Sequence, residues 1–341
     1  METIGILTGG GDCPGLNAVI RAVVRRSLSY GYRVLGIRGG WKGMLERDTT
    51  ELELTAISGI LARGGTILGT SRTNPYKTEE DARRVEDSFR VLGLKALIAV
   101  GGEDTLGVAA KLSQAGYPLV GVPKTIDNDL SGTDTTFGFD TAVSIAVDAI
   151  DRLHSTAESH DRVIVVEVMG RHAGWIALHA GIAGGADYIL VPERPVDLNA
   201  VCAAVRRRRD RGKKFSIIVT AEGAFLPQGV VVQDVGTDPF GHVKLGGIGE
   251  RLAKEIERRT GFETRSVTLG HVQRGGTPTA FDRMLATRYG LMAAEMAHEG
   301  KFGMMAALSR GRFEPVSLEE AVSKLKTVDG SLLDLASVLF G

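Results

Sequence analysis

The sequence predicts an α/β protein of two domains, each built on a largely parallel sheet. Short apolar strands alternate with amphipathic helices, which is typical of parallel α/β units. The alternation starts at the N-terminus and starts again after Gly138. A chain of 341 residues is also longer than one ordinary hydrophobic core requires. Together these three observations place a domain boundary near residue 139.

The first unit opens with a predicted strand at residues 4–8, which runs directly into a glycine cluster. A helix is predicted at residues 14–30, because apolar side chains recur at helical spacing, Pro14 suits a first turn and Gly31 suits the end. The remaining predicted elements are strands at 32–37, 94–100 and 119–122 and a helix at 105–115.

The second unit repeats the alternation of helix and strand. Its predicted elements are a helix at 141–158, strands at 162–169, 187–191 and 215–220, and a further helix after Gly170-Arg171. Residues 226–247 are rich in glycine and valine and have weak periodicity, so they are predicted to form a hairpin or a long loop.

Composition excludes several classes of protein. Lysine and arginine total 41, as do aspartate and glutamate, so no net field attracts nucleic acid or an anionic membrane. The chain has neither 18 consecutive apolar residues nor the charged and apolar regions of a secretory signal. Two cysteines, Cys13 and Cys202, are too few for a disulfide framework or a zinc cluster. We therefore expect a cytoplasmic protein that binds neither nucleic acid nor membranes.

Glycine is the outlier in composition, with 45 of 341 residues, against a usual share of about 7%. The cluster Gly9-Gly10-Gly11 lies between a strand and a helix, where backbone N–H groups and a helix N-terminus can surround a phosphate. Neither the dinucleotide pattern G-x-G-x-x-G nor the Walker pattern is present. A tight turn without a ligand is the alternative for this cluster.

A second strand–glycine–helix junction carries two adjacent acids, Glu103 and Asp104, after Gly101-Gly102. Acids at a helix start usually cap it. They would also repel a phosphate unless a cation lay between, and Mg²⁺ prefers one or two carboxylates together with phosphate oxygens and water. Both interpretations, capping and a metal site, stay open on this segment alone.

The third strand of the first unit ends in a polar segment, residues 124–129. Asp127 and Asp129 share a face if this segment is extended, and one of them can accept a proton from a hydroxyl. Lys124 can neutralise charge on a phosphoryl group in transfer. A polar turn is the alternative. Three polar segments at three strand ends favour a phosphoryl-transfer site.

Five ordered motifs resemble those of the bacterial phosphofructokinases over almost the whole chain: GGGDCPGLN at 9–17, GGTILGTSR at 64–72, TIDND at 125–129, MGR at 169–171 and LGHVQRGG at 269–276. That family phosphorylates the 1-hydroxyl of fructose 6-phosphate. The resemblance implies two domains with the active site in the cleft between them.

The resemblance also implies roles for individual residues. Asp127 resembles the general base, with Thr125 and Asp129 beside it, and Arg171 resembles the arginine that neutralises the transferring group. Gly11 and Arg72 resemble the residues that hold the phosphoryl donor. The residues that resemble sugar contacts are Met169, Gly170 and Glu222, and those that resemble the 6-phosphate cluster are Arg162, Arg265, His271 and Arg274. In the family, the counterparts of Arg162 and Arg265 come from a neighbouring subunit, which implies a homodimer or homotetramer with shared active sites.

Two departures from the ATP-dependent pattern bear on the phosphoryl donor. That pattern has glycine where this chain has Asp104 and Lys124. Asp104 puts bulk and negative charge where an α-phosphate would lie, and Lys124 can reach the anion left after transfer. The pair resembles the pyrophosphate-dependent branch, which implies pyrophosphate as donor with Mg²⁺, and a near-reversible reaction of glycolysis and gluconeogenesis. Glu103 replaces the usual aspartate of the metal site.

By the same resemblance, residues 1–138 with about 273–324 should hold pyrophosphate and Mg²⁺. Residues 139–272 with about 325–341 should hold fructose 6-phosphate. The first alternative is an ATP-dependent 6-phosphofructokinase, and the second is a non-catalytic sensor of sugar phosphates or nucleotides on the same fold. A nicotinamide oxidoreductase is disfavoured because the dinucleotide pattern is absent.

Overall fold

The computed structural model of the protein describes residues 1–227, 229–230, 232–237, 240–241 and 243–340. In chain order, the first elements are β1 (Thr3–Thr8), α1 (Leu16–Ser29), β2 (Arg33–Ile37), α2 (Trp41–Glu46), β3 (Thr49–Glu51), a 3-10 helix (Pro75–Lys77), α3 (Glu79–Val91), β4 (Leu94–Gly101), α4 (Glu103–Gln114) and β5 (Leu119–Pro123).

The remaining elements are α5 (Phe139–Ser159), β6 (Val163–Val168), α6 (Trp175–Ala183), β7 (Tyr188–Leu190), α7 (Leu198–Asp210), β8 (Ser216–Ala221), β9 (Phe225–Leu226), β10 (Gly229–Val230), β11 (Val232–Thr237), β12 (Val243–Leu245), α8 (Ile248–Thr260), β13 (Thr264–Thr268), a 3-10 helix (Gly270–Arg274), α9 (Ala280–Glu299), β14 (Met304–Ser309), β15 (Arg312–Ser317), α10 (Leu318–Ser323) and α11 (Gly330–Ser337).

The larger sheet has the strand order β15-β14-β5-β4-β1-β2-β3 in the part of the chain that the structure describes. Its inner strands run parallel, while β3 and β15 are antiparallel edges. The register pairs Thr8 with Val100 and Gly101 with Pro123. The loops that follow β1, β4 and β5 therefore leave one edge of the sheet side by side, where ligands bind in open α/β sheets.

The smaller sheet has the order β13-β6-β8-β7 and is parallel throughout its described strands. All six residues of β6 are buried, as are all six of β1 in the larger sheet. Such apolar runs are typical of parallel strands, which helices cover on both faces. The exception within β6 is Glu167, which accepts hydrogen bonds from the N–H groups of Gly247 (3.2 Å) and Gly249 (2.7 Å) at the start of α8.

Two helices cap each other near the point where the chain passes from one sheet to the next. Oδ2 of Asp282, in α9, accepts hydrogen bonds from the backbone N–H (2.8 Å) and the hydroxyl (2.6 Å) of Thr141 in α5. In return, the hydroxyl of Thr279, at the start of α9, donates to Oδ2 of Asp140 in α5 at 2.6 Å. Asp282 is fully buried, and burial raises its pKa to about 6. This contact joins the N-termini of the two helices.

The predicted α/β class with largely parallel sheets is confirmed. Three helix starts differ from the prediction, since α5 begins at Phe139 rather than at about residue 141. Helix α1 begins at Leu16 rather than at Pro14, because Gly15 takes a left-handed conformation with φ of 110°. Helix α4 begins at Glu103 rather than at Thr105, so that both acids of this segment lie in its first turn. Among the elements that were not predicted are helices α2, α3, α8 and α9 and strands β3, β13, β14 and β15.

The predicted hairpin or loop at 226–247 lies partly outside the described residues. Within it, β9 pairs with β10 and β11 pairs with β12, both antiparallel. The division of the chain at residues 138, 272 and 324 stays a prediction. Across the described ranges, the structure contains no helix that is long and apolar enough to cross a membrane.

Candidate active site

The loops after β1, β4 and β5 form a polar cleft. Arg171, in the loop after β6, also lines this cleft. Its lining consists of Gly10, Gly11, Arg72, Gly102, Glu103, Asp104, Thr105, Lys124, Thr125, Asp127, Asp129, Arg171 and Arg274. Most of these residues were predicted from three separate strand ends. The cleft therefore unites the polar segments in one place.

The first glycine loop closely approaches other side chains of the cleft. A Cβ atom at Gly9 would lie 2.5 Å from the hydroxyl oxygen of Thr105. A Cβ atom at Gly11 would lie 2.6 Å from Nη1 of Arg274, which donates to the carbonyl oxygen of Asp12 at 3.3 Å. Real Cβ atoms essentially never come so close to another heavy atom. Glycine is therefore needed at Gly9, where the loop lies against Thr105, whereas a Cβ atom at Gly11 would require the flexible end of Arg274 to shift.

Lys124 lies beneath this loop, at the end of β5. Its side chain is buried, and its ammonium group donates a hydrogen bond to the carbonyl oxygen of Gly11. Burial is the main cause that lowers its pKa to about 8, with a smaller contribution from the positive charge of Arg274. A buried cation at the floor of a polar cleft is suited to binding an anion.

Glu103 and Asp104 lie in the first turn of α4, where their negative charges favour the positive end of the helix dipole. The N-cap residue is Gly102, and no side chain caps this position by a hydrogen bond. Of the two acids, Glu103 is exposed and Asp104 is partly buried. Both residues line the cleft, and neither is the N-cap residue.

The residues of the cleft fit a magnesium ion that arrives with a phosphorylated ligand. The described residues contain no group of three or more histidine, cysteine, aspartate or glutamate side chains that could hold a metal ion by themselves. Mg²⁺ usually keeps several waters and takes one or two protein carboxylates, with phosphate oxygens completing the shell. The exposed carboxylate of Glu103, at the mouth of the cleft, suits that arrangement.

Asp127 is buried, and its Oδ1 has no hydrogen-bond partner among the described residues. Its backbone N–H bonds to the hydroxyl of Thr125 at 3.0 Å. The next residue, Asn128, has φ of 53°, a left-handed conformation that is uncommon outside glycine. An unpaired buried carboxylate oxygen costs free energy unless a ligand supplies a donor. This oxygen can therefore accept a proton from a substrate hydroxyl in the cleft.

Asp129 and Glu222 carry raised pKa values near Asp127. Burial, followed by the charge of Asp127, raises the pKa of each to about 7. Oε1 of Glu222 accepts the backbone N–H of Arg171 at 3.1 Å. Arg171 itself has φ of 50°, so a strained backbone presents its side chain to the cleft. Ionisable groups with such shifted pKa values are frequent in active sites.

Several residues predicted to bind the sugar phosphate lie outside the cleft lining. Arg162 and Arg265 both form ion pairs with Glu263, at 2.8 and 2.7 Å, and His271 is exposed. Met169 and Gly170 precede Arg171 on the same loop without lining the cleft. Arg274 is different, because it lies against the first glycine loop, on the side predicted to hold the phosphoryl donor. The cleft also contains Gly10 and Gly102, which belong to the two predicted glycine loops, and Thr105, which was not predicted as a site residue.

The fold and the cleft define an enzyme of the phosphoryl-transfer class, with cationic groups, a free carboxylate oxygen and a glycine loop at the carboxyl ends of parallel strands. A phosphofructokinase family profile matches residues 3–297. The chain belongs to the phosphofructokinase family, so the resemblance seen in its motifs is confirmed.

Individual relatives agree on the family and differ in the named donor. A pyrophosphate–fructose 6-phosphate 1-phosphotransferase of Streptomyces coelicolor is 60% identical over 341 residues, covering 99% of both chains. An ATP-dependent 6-phosphofructokinase 3 of the same organism is 56% identical and covers 95% of this chain and 96% of its own. The phosphofructokinase structure of Pichia pastoris in the T-state has a TM-score of 0.85 at 31% identity, over 99% of this chain and 36% of its own.

Proposed function

We propose that the protein transfers a phosphoryl group from pyrophosphate to the 1-hydroxyl of fructose 6-phosphate, which yields fructose 1,6-bisphosphate and phosphate. The observation that carries this proposal is the position of Lys124 and Asp104 in one cleft with the free Oδ1 of Asp127. In this proposal, a cation and a bulky acid lie around the donor, with a proton acceptor beside them.

The donor assignment rests on residues of this chain in addition to the names of its relatives. Relatives at 60% and 56% identity are named for different donors. In this cleft, Lys124 is held against Gly11, and Asp104 adds a carboxylate to the first turn of α4. An acid at this place opposes the additional phosphate of a nucleotide, whereas a buried ammonium suits a small released anion. Both effects favour pyrophosphate over ATP.

The transfer itself follows from the same groups. Oδ1 of Asp127 accepts the proton of the 1-hydroxyl of the sugar. The hydroxyl oxygen attacks the terminal phosphorus of pyrophosphate, and the bond from that phosphorus to the bridging oxygen breaks. Arg171 and Arg72 bind the transferring group, and Lys124 stabilises the phosphate that leaves. Thr125 and Asp129 stabilise the turn that carries Asp127 and influence the electrostatic environment of its carboxylate. Mg²⁺, bound by Glu103 and the oxygens of pyrophosphate, would supply positive charge against the transferred phosphoryl group.

The sugar phosphate binds on the side of the smaller sheet. Glu222, Met169 and Gly170 contact the sugar. His271 binds the 6-phosphate together with Arg274, which extends to it from the donor side of the cleft. Arg162 and Arg265 are 30% and 55% exposed and lie outside the cleft of their own chain. We assign them to the cleft of a second copy, in a homodimer or homotetramer. Guanidinium groups suit such phosphate contacts, because their N–H groups match phosphate geometry.

The domain assignment follows the positions of these groups. Residues 1–138 with about 273–324 hold pyrophosphate, and residues 139–272 with about 325–341 hold fructose 6-phosphate. Because Arg171 faces donor-side residues across the cleft, the two substrates meet where the units adjoin.

The proposal is tested by incubating the purified protein with fructose 6-phosphate and Mg²⁺, with either pyrophosphate or ATP, and measuring fructose 1,6-bisphosphate. We expect product with pyrophosphate and little with ATP. Activity with ATP and none with pyrophosphate would reverse the donor assignment. Absence of product with both donors would favour a non-catalytic sensor.

A further inference from the structure

A short segment near the C-terminus, residues 325–329, lies across the loop that follows β5. We call it the C-terminal strap. Its Leu325 forms a bridge with Leu130, and the backbone N–H of Lys326 donates to the carbonyl oxygen of Asp129 at 2.9 Å. The strap therefore pairs by backbone with the loop that carries the proposed base.

The side chain of Lys326 makes three further hydrogen bonds to this loop. Its ammonium group donates to Oδ1 of Asn128 at 3.2 Å, to the carbonyl oxygen of Thr133 at 3.0 Å and to that of Asp134 at 2.6 Å. Asn128 is the left-handed residue directly after Asp127. The ammonium group of Lys326 thus contacts both the turn next to Asp127 and the later part of the same loop, at Thr133 and Asp134.

The strap also contacts the unit that carries Arg171. The indole N–H of Trp175 donates to the carbonyl oxygen of Lys326 at 2.9 Å, and the Lys326 ammonium lies 5.2 Å from the centre of the indole ring. Trp175 is the first residue of α6, four positions after Arg171. Lys326 therefore contacts the base loop with its ammonium and the start of α6 with its backbone.

A second link fixes the strap to the same helix. Oε1 of Glu193 accepts the backbone N–H of Gly174 and that of Val328, both at 2.9 Å. Gly174 is the N-cap residue of α6, so this carboxylate lies at the positive end of the helix. The strap and the loop after β6 are thus held by a common group.

The surroundings of Lys326 are unfavourable for a charged group. Burial lowers the pKa of Lys326 to about 8, although Asp134 and Asp129 oppose that change. Burial, followed by the positive charge of Lys326, lowers the pKa of His179. A lowered lysine pKa means that the fold disfavours the charge. Apolar packing on Trp175 would need only the aliphatic part of the side chain.

We propose that Lys326 is a positioning residue, which keeps the turn at Asp127 in register with the loop at Arg171. This inference rests on the proposed function, because the proposed function assigns the role of general base to Asp127 and the role of binding the transferring group to Arg171. The two groups come from different sheets and must act on one phosphoryl group. A misplacement of about 1 Å can lower a rate by about 100-fold.

The test compares kcat and KM of three variants with the unchanged enzyme. Lys326→Met keeps most of the length of the side chain and removes its donors, and Lys326→Arg restores donors. Lys324→Met is the matched control, since that lysine is exposed and precedes the strap. We expect kcat of Lys326→Met to fall about 10- to 100-fold with KM for both substrates within about twofold. Lys326→Arg should recover most of the loss, and Lys324→Met should behave as unchanged enzyme.

The inference is overturned if Lys326→Met retains its kcat, if the loss is only in KM, or if Lys326→Arg recovers nothing.

A second readout does not depend on activity. The chain has two tryptophans, so 5-fluorotryptophan labelling gives two fluorine resonances, assigned with Trp175→Phe. Lys326→Met should shift the resonance of Trp175 and leave that of Trp41 in place. Unshifted resonances in a folded variant would remove the contact on which the inference depends. If the unchanged enzyme is inactive with pyrophosphate while the resonance shifts, the proposed function fails and this contact stands.

Discussion

The ammonium group of Lys124 donates a hydrogen bond to the carbonyl oxygen of Gly11, 113 positions earlier in the chain. The bond joins the loops that leave β5 and β1, two strands separated by β4 in the larger sheet. It points a buried cation at the backbone that surrounds the proposed donor. We therefore expect donor choice to depend on a side chain at the end of one strand and a glycine loop at the end of another.

Replacement of Asp104 and Lys124, the two departures from the ATP-dependent pattern, by glycine should change the phosphoryl donor. Asp104→Gly with Lys124→Gly removes the acid and the buried cation, so we expect kcat/KM for pyrophosphate to fall at least about 100-fold. The space that opens should admit ATP as a substrate. Steady-state assays with each donor measure both changes. A double variant that keeps its kcat/KM for pyrophosphate would refute the role of these residues.

Replacement of the proposed base should slow the chemical step alone. In Asp127→Ser no carboxylate accepts the hydroxyl proton, and general bases of this kind contribute about 10²- to 10⁴-fold to a rate. We expect kcat to fall by about that factor while calorimetry shows fructose 6-phosphate binding within about twofold. Asp148→Ser, at an exposed site on α5, is the control. An unchanged kcat in Asp127→Ser would exclude the base role.

The raised pKa values of Asp129 and Glu222, each about 7, predict an acid limb in the activity profile. Both groups take up protons as the pH falls below 7, which removes negative charge beside Asp127, so kcat/KM should decline there. Glu222→Gln removes one of the two groups and should shift the limb. A flat profile between pH 6 and pH 8.5 would contradict this assignment.

The same two carboxyl groups predict a contribution to the free energy of unfolding that, in contrast to kcat/KM, is greater at low pH. Their pKa values in the folded state lie above those of the unfolded chain, so folding takes up protons between about pH 4 and pH 7. Their contribution to stability is complete below about pH 4 and is lost as the pH rises through 7. We expect the free energy of unfolding of Glu222→Gln to depend less on pH across this window than that of the unchanged protein, as measured by urea unfolding.

Loss of the shared helix cap should destabilise the fold. Asp282→Ala leaves the N–H and hydroxyl of Thr141 without their buried acceptor, and such losses cost about 2–4 kcal/mol. Urea unfolding measures this change. Asp148→Ala, on the exposed face of α5, should cost less than about 0.5 kcal/mol. Equal stability of the two variants would show that the cap is energetically neutral.

Local sequence patterns predicted most of the strands because a buried parallel strand is a short apolar run bounded by glycine or polar residues. They were less accurate at helix starts. Helix α4 begins two residues earlier than predicted, since Gly102 takes the N-cap position and both acids enter the first turn. Strands β14 and β15 were missed, although β14 extends the larger sheet beside β5.

The motifs alone identified the family and nearly all cleft residues, because phosphate chemistry restricts residue types at strand ends. Only the tertiary structure placed Arg274 against the first glycine loop and joined Lys326 to Asn128 and Trp175. These contacts link residues far apart in the chain, and local periodicity carries no information about such distances. The sequence by itself determined the chemistry of the site. The packing of two sheets and the C-terminal strap decided which of those groups meet.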